Sequence, residues 1–219
     1  MIRDRYDVVV VGAGHAGCEA AAACARLGLS TALLSARLED TAKMSCNPAI
    51  GGIAKGHMVR EIDALGGLMG LATDATGIMF KMLNTSKGAA VRGPRAQCDK
   101  YAYAAEVQRL ISQRENINVI AGTVDDIVVE NGSVVGVVVP EGCDVVEADR
   151  GQIERNAMDV ERAQPVYRAL PRAEPGAKGT LIRSRAVVLT TGTFMRALMH
   201  TGEQKTQGGR IGEGSAVGI

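Results

Sequence analysis

The stretch Met44–Gly67, MSCNPAIGGIAKGHMVREIDALGG, places Cys46 directly before Asn47-Pro48 and a few residues ahead of Gly51-Gly52, where a helix begins. The thiolate is the reactive form of cysteine, and a helix N-terminus or a cation such as Lys55 lowers a thiol pKa and enlarges that fraction. The residues alone leave two readings open, an activated nucleophile or a buried structural cysteine, the usual fate of a lone thiol. A second constellation lies upstream, where Gly12, Gly14 and Gly17 fit G-x-G-x-x-G. In that pattern the first glycine permits a tight turn, the second lets backbone approach a pyrophosphate, and the third lets helix pack on strand. The free amides and partial positive charge of the helix start then face the phosphates.

The elements around these residues supply the context the pattern requires. Val8–Val11 is β-branched throughout and reads as a strand buried on both faces of a parallel sheet. Ala16–Leu27 reads as a helix with Gly28 as its C-terminal cap, and Thr31–Leu34 as the second strand. The acid expected about 20 residues beyond the turn is missing. Ser35 stands near its place, Glu39 and Asp40 follow, and the ribose contact stays unassigned.

Further along, the spacing predicts a helix over Ala54–Leu65 with Met58, Ile62 and Leu65 on one face, and another over Tyr101–Ser112. Asn131-Gly132 between apolar runs predicts a hairpin with a type I′ turn. Residues 141–180 are rich in charge and proline without a periodic apolar face, and read as an exposed, flexible insertion from that hairpin. Arg185–Thr190 resumes a buried strand. Lys81, Lys87, Arg92, Arg95 and Lys100 face one acid, Asp99, in a segment that Gly88, Gly93 and Pro94 make loop-like. Such a run serves either as a solvated face or as a contact for phosphates.

Composition narrows the classes. A net charge of +1 gives no global bias toward nucleic acid or membrane, so any basic surface is local. The absence of Trp and an aromatic content of 3% exclude an aromatic base-stacking platform. Five cysteines, an odd number without a CxxC pair, argue against a disulfide framework or a metal site and suit a reducing, cytoplasmic location. No apolar run is long enough to span a membrane.

The early glycine fingerprint, the inserted hairpin and the later strand ending in Thr190-Thr191-Gly192 match the layout of flavoproteins with two dinucleotide domains, which favours FAD. The segments GAGHAG (12–17), MSCNPAIGGIAKGH (44–57), EIDALGG (61–67), NTSKGAAVRGPRAQ (84–97), VVLTTGTF (187–194) and GGRIGE (208–213) resemble the MnmG, or GidA, family of tRNA uridine 5-carboxymethylaminomethyl modification flavoproteins. The resemblance implies an α/β, Rossmann-like FAD-binding domain over 1–219 with a central parallel sheet and an inserted antiparallel hairpin, and a chain that corresponds to the N-terminal portion of a longer enzyme. It implies modification of the wobble uridine at C5 with FAD, NADH and methylenetetrahydrofolate, together with glycine or ammonium. It also implies a homodimer working with an MnmE-type GTPase on tRNA.

By the same resemblance, Cys46 is the nucleophile or proton-handling group. Gly12, Ala13, Gly14, His15, Ala16 and Gly17 hold the dinucleotide with Val124 and Ser215, and Lys87, Arg92 and Arg95 contact phosphates of the flavin or of tRNA. At Ser215 the sequence GEGSAVG departs from the family's commoner Asp/Glu-Pro-Ser form. His57 is a candidate for proton transfer. Two other classes stay open: a flavin oxidoreductase of another substrate class, and a non-catalytic nucleotide- or RNA-binding fragment.

Overall fold

The computed structural model describes residues 5–45, 47–139, 146–158, 167–169, 179–193, 195 and 197–208. In chain order its elements open with β1 (Arg5–Val11), α1 (His15–Arg26), β2 (Thr31–Ser35), β3 (Ala49–Gly51), α2 (Lys55–Ala64) and α3 (Met69–Thr76). There follow β4 (Gly77–Leu83), β5 (Gly93–Cys98), α4 (Lys100–Ser112), β6 (Ile117–Ala121), β7 (Asp126–Glu130) and β8 (Ser133–Val139). The rest are β9 (Val146–Ala148), α5 (Arg150–Met158), β10 (Tyr167–Ala169), β11 (Thr180–Leu189), β12 (Leu198–Thr201) and β13 (Gln204–Gln207).

The fold is α/β. Eight strands form one sheet in the order β10-β9-β6-β2-β1-β11-β8-β7, and its middle, β6-β2-β1-β11, is parallel. The remaining pairings in it are antiparallel. The chain winds outward from β1 through β2 to β6, then returns to the other side of β1 as β11. The strand order therefore reverses beside β1, which is where open parallel sheets bind ligands at their carboxyl edge.

Alternation along β1 explains its burial on both sides. Val8 and Val10 join Leu33, Ile117 and Val119 in one core, packed beneath α1 and α4. Val9 and Val11 join Leu34, Ile120, Val137 and Val139 in a second. Each such fully buried aliphatic side chain contributes roughly 1.5–3 kcal/mol over leaving it exposed. The second face is covered by the β7–β8 hairpin, which folds back across the sheet until Val139 lies beside Gly122 at the end of β6. The hairpin has the expected two-residue turn, with Asn131 at φ 51° and Gly132 at φ 76°.

Three expectations need amending. Residues 81–100 are not one loop. β4 and β5 flank residues 84–92, and β3-β5-β4 make a separate antiparallel sheet. Two of the three residues of the predicted apolar face of α2 lie in solvent, Met58 58% and Leu65 75% exposed, while Ile62 is half-buried; the helix docks through Gly56, which sits against Pro94, and through Val59 against the core. Within 141–180, where no regular element was expected, the described residues form β9, α5 and β10, and β9 adds to the edge of the main sheet at β6. Among the described residues no helix is long and apolar enough to cross a membrane.

Candidate dinucleotide site

The turn after β1 is built by contacts that tolerate no side chain. Gly12, at φ 101°, donates its N–H to Leu34 O at 2.9 Å, and a Cβ on it would lie 2.6 Å from Thr190 O. A Cβ on Gly17 would overlap Gly12 O, so α1 can approach the turn only with hydrogen at that position. Thr190, just past β11, locks the arrangement. Its N–H donates to Val11 O at 2.9 Å, and its hydroxyl lies 3.0 Å from Val11 O and 2.8 Å from Gly12 O. Ala42 N–H reaches Ala13 O at 2.8 Å and ties in the segment after β2.

Gly14 differs from its neighbours. A Cβ there would meet nothing within 4 Å, so this glycine faces open space. It is the N-cap of α1 and supplies no capping side chain, and no acid stands in the first turn. Cys18 N–H donates to Gly14 O at 2.9 Å, which leaves the amides of the residues just before it outside the helical ladder. His15 Nε2 is buried with no partner among the described residues, and its ring lies 5.5 Å from that of Tyr103. Burial first, and the Lys55 charge second, push the His15 pKa down to about 4, so the imidazole is neutral at pH 7. An open glycine, uncapped amides and an unsatisfied ring nitrogen fit a bound diphosphate group.

The ribose side is occupied by internal contacts. Ser35 is buried and donates to Arg37 O at 2.6 Å. Arg37 Nε lies 3.0 Å from Glu39 and 3.4 Å from Asp40, while Lys43 Nζ lies 2.9 Å from Asp40. Val124 packs its side chain against the second core, so its backbone is what it can offer a ligand. Thr191 is half-buried and Gly192, at φ 63°, and Thr193 are exposed at the same edge.

The proposed chemical residues divide. Cys46 and Ser215 lie outside the described residues, as does Cys143. Cys18, Cys24 and Cys98 are free, and burial raises all three thiols, Cys18 to about 12. They are packing residues held in the thiol form. The loop that carries Cys46 closes on the small sheet, where Cys98 N–H donates to Pro48 O at 2.7 Å and Gly52 N–H to Pro94 O at 2.8 Å. Its exit is tight. Ala54 holds φ 61° and ψ −58°, with Lys55 N–H bonded back to Ile53 O at 2.7 Å, a γ-turn geometry rare outside glycine. His57 follows, half-buried in the first turn of α2.

Lys87 is exposed, Arg92 donates through Nη2 to Thr85 O at 3.0 Å, and Arg95 is half-buried on β5. Among the described residues no His, Cys, Asp or Glu cluster could hold a metal ion.

One structural residue gave no signal in the sequence. Glu19 on α1 accepts the amides of Leu68, at 2.9 and 3.0 Å, and Met69, at 2.7 Å, capping α3 from a distant part of the chain. Arg26, on the same helix, donates to Gly66 O at 2.6 Å. A long-range cap leaves no local spacing to read.

A glycine turn at the switch point of an open, mainly parallel α/β sheet has the form of a dinucleotide-binding unit. The model of the family described as Glucose inhibited division protein A matches residues 7–149 and 175–219, so the chain belongs to that family. The unmatched residues include all of α5 and all of β10. The chain is 48% identical over 214 residues to the tRNA uridine 5-carboxymethylaminomethyl modification enzyme MnmG of Rhodopirellula baltica, covering 98% of this chain and 29% of the relative. It is 45% identical over 215 residues to the MnmG of Protochlamydia amoebophila, covering 98% and 28%.

Among solved structures, GidA of Aquifex aeolicus superposes with a TM-score of 0.75 at 42% identity, covering 100% of this chain and 30% of that one. A GidA-related protein of Thermus thermophilus shares the fold, with a TM-score of 0.56 at 19% identity, covering 98% and 65%. The chain thus spans less than a third of the length of the curated relatives it matches.

Proposed function

We propose that this chain is the FAD-binding part of a tRNA-modifying enzyme that adds a carboxymethylaminomethyl or aminomethyl group at C5 of the wobble uridine. The observation that carries the reading is the pair of packed glycines, Gly12 and Gly17, flanking an open Gly14 at the start of α1. The MnmG names of the relatives supply the substrate class. In this reading Gly12, Ala13, Gly14, His15, Ala16 and Gly17 hold the FAD diphosphate, with Val124 and Ser215 at the margins. Bound there, FAD supplies the redox chemistry for transferring a one-carbon unit. NADH and methylenetetrahydrofolate are the cosubstrates, and the complete enzyme is a homodimer with an MnmE-type GTPase partner.

The chain's own residues have two tasks. The amides of α1 and the neutral His15 ring orient the diphosphate without a formal charge. Cys46 handles the uracil. Its thiolate adds to C6, forming an S–C6 bond and moving the C5=C6 electrons toward C5, which then attacks an electrophilic carbon. Loss of the C5 proton to a base and departure of sulfur from C6 restore the double bond and the thiolate.

Purified chain is expected to retain a flavin visible in its absorbance spectrum and of FAD mass; no flavin absorbance together with no FAD-dependent rise in melting temperature overturns the cofactor assignment. In a complete enzyme, Cys46→Ser is expected to abolish modification of tRNA while flavin is kept, and full modification by the variant removes Cys46 from the chemistry.

A further inference from the structure

We infer that Lys81 and Arg95 form a binding site for a backbone phosphate of the RNA substrate on the small sheet, beside the Gly51-Gly52 turn. This rests on the tRNA-modifying reading above and adds to it a place where the substrate strand is held.

The argument begins with register. Gly51 on β3, Arg95 on β5 and Lys81 on β4 lie in one row across the three strands. Directly opposed residues of antiparallel strands share a face, with Cβ atoms about 4.5–5.5 Å apart, and like charges so placed destabilise the sheet. Gly51 adds no side chain to that row. The Arg95 guanidinium leans toward the cysteine loop, its Nη1 lying 3.9 Å from where a Cβ on Gly52 would be.

Among the described residues no ion pair offsets the charge. The sequence from Ala75 to Cys98, which contains β4, β5 and the turn between them, has no acid. Among the described residues neither Lys81 nor Arg95 enters an ion pair. Two adjacent cations kept without a counter-charge are relieved by an anion, and a half-buried Arg beside an exposed Lys provides a directional fork and a point charge for one phosphate. Arg92 does something else. Its guanidinium braces the 84–92 turn through Thr85 O, where Asn84 Nδ2 also donates to Val91 O at 3.1 Å.

The phosphate could belong to RNA or to the dinucleotide, and the two sources separate experimentally. The probe is a fluorescent hairpin RNA with an unpaired uridine, titrated by anisotropy over a range of salt, with FAD retention measured in parallel. The unaltered chain is expected to bind the hairpin with a salt-dependent affinity. Lys81→Gln and Arg95→Gln are each expected to weaken that affinity and flatten the log–log salt slope by about 0.7, without loss of FAD. Arg95→Lys restores the slope, and Arg183→Gln, at an exposed position on β11, leaves it unchanged.

An unchanged slope in both glutamine variants overturns the site while leaving the tRNA reading intact. Loss of FAD with an intact slope assigns these cations to the cofactor and equally overturns it. Failure of the unaltered chain to bind the hairpin at any salt overturns the site and the RNA reading together.

Discussion

At the glycine turn, Leu34, Ala42 and Thr190 each take up a backbone group of residues 11–13 at 2.8–3.0 Å, and two of the three glycines have no room for a methyl group. On the small sheet, Lys81 and Arg95 stand in one row without an ion pair among the described residues, and β4 exposes five consecutive side chains, Ile78 and Phe80 at 70% and 61%. Among the described residues, one region is closed by its own contacts except at Gly14 and His15. The other presents charge and apolar surface that its own chain does not complete. The difference teaches where stability and ligand recognition can be separated by mutation. At the turn they share neighbouring positions, and on the sheet recognition is nearly free of stability.

The sharpest way to break this contrast is Gly17→Ala. With Gly12 O in the path of the new methyl group, α1 must shift off the sheet, and a loss of about 3 kcal/mol or more is expected in a denaturant titration. Gly14→Ala, two residues into the same motif, is expected to leave the unfolding midpoint within about 0.5 kcal/mol while abolishing flavin retention, since the space it fills is empty of protein. Equal destabilisation by the two variants would dissolve the distinction between packed and open glycines.

A smaller effect probes the link between the two regions. Glu19→Ala strips the acceptor from the Leu68 and Met69 amides and is expected to cost about 1–3 kcal/mol, with Glu19→Gln losing less. Hydrogen exchange at Leu68 and Met69 should quicken in the alanine variant. Unchanged protection there would mean that α3 stands without α1.

A separate effect is in acid. His15 has a folded pKa of about 4 against 6.5 unfolded, so between those values the unfolded chain binds the extra proton. The stability present above pH 6.5 is therefore lost as pH falls toward 4. His15→Gln is expected to flatten the melting temperature over that window, and an identical pH profile in the variant would place the buried proton-binding group elsewhere.

The main sheet was legible because its strands obey local rules. Val8–Val11, the glycine spacing after it, and Asn131-Gly132 each specify their conformation within a few residues. The small sheet was not, for reasons visible in its residues. β4 is exposed on both faces and shows no alternation, while β5 begins Gly93-Pro94, which reads as a break. α2 misled in the opposite direction, since Met58 and Leu65 keep helical spacing yet lie in solvent, and its contacts run through Gly56 and Val59 instead. At the site, the glycine turn itself could be read from spacing. Thr190 as a clamp and Glu19 as a cap depend on partners far along the chain, and no sequence window contains both ends of those contacts.

Ala54 carries a further consequence. Its methyl group sits in a backbone geometry that L residues resist, at a cost on the order of 1–3 kcal/mol, and the neighbouring Ile53–Lys55 hydrogen bond keeps it there. The entry into α2 therefore concentrates its backbone strain in one alanine.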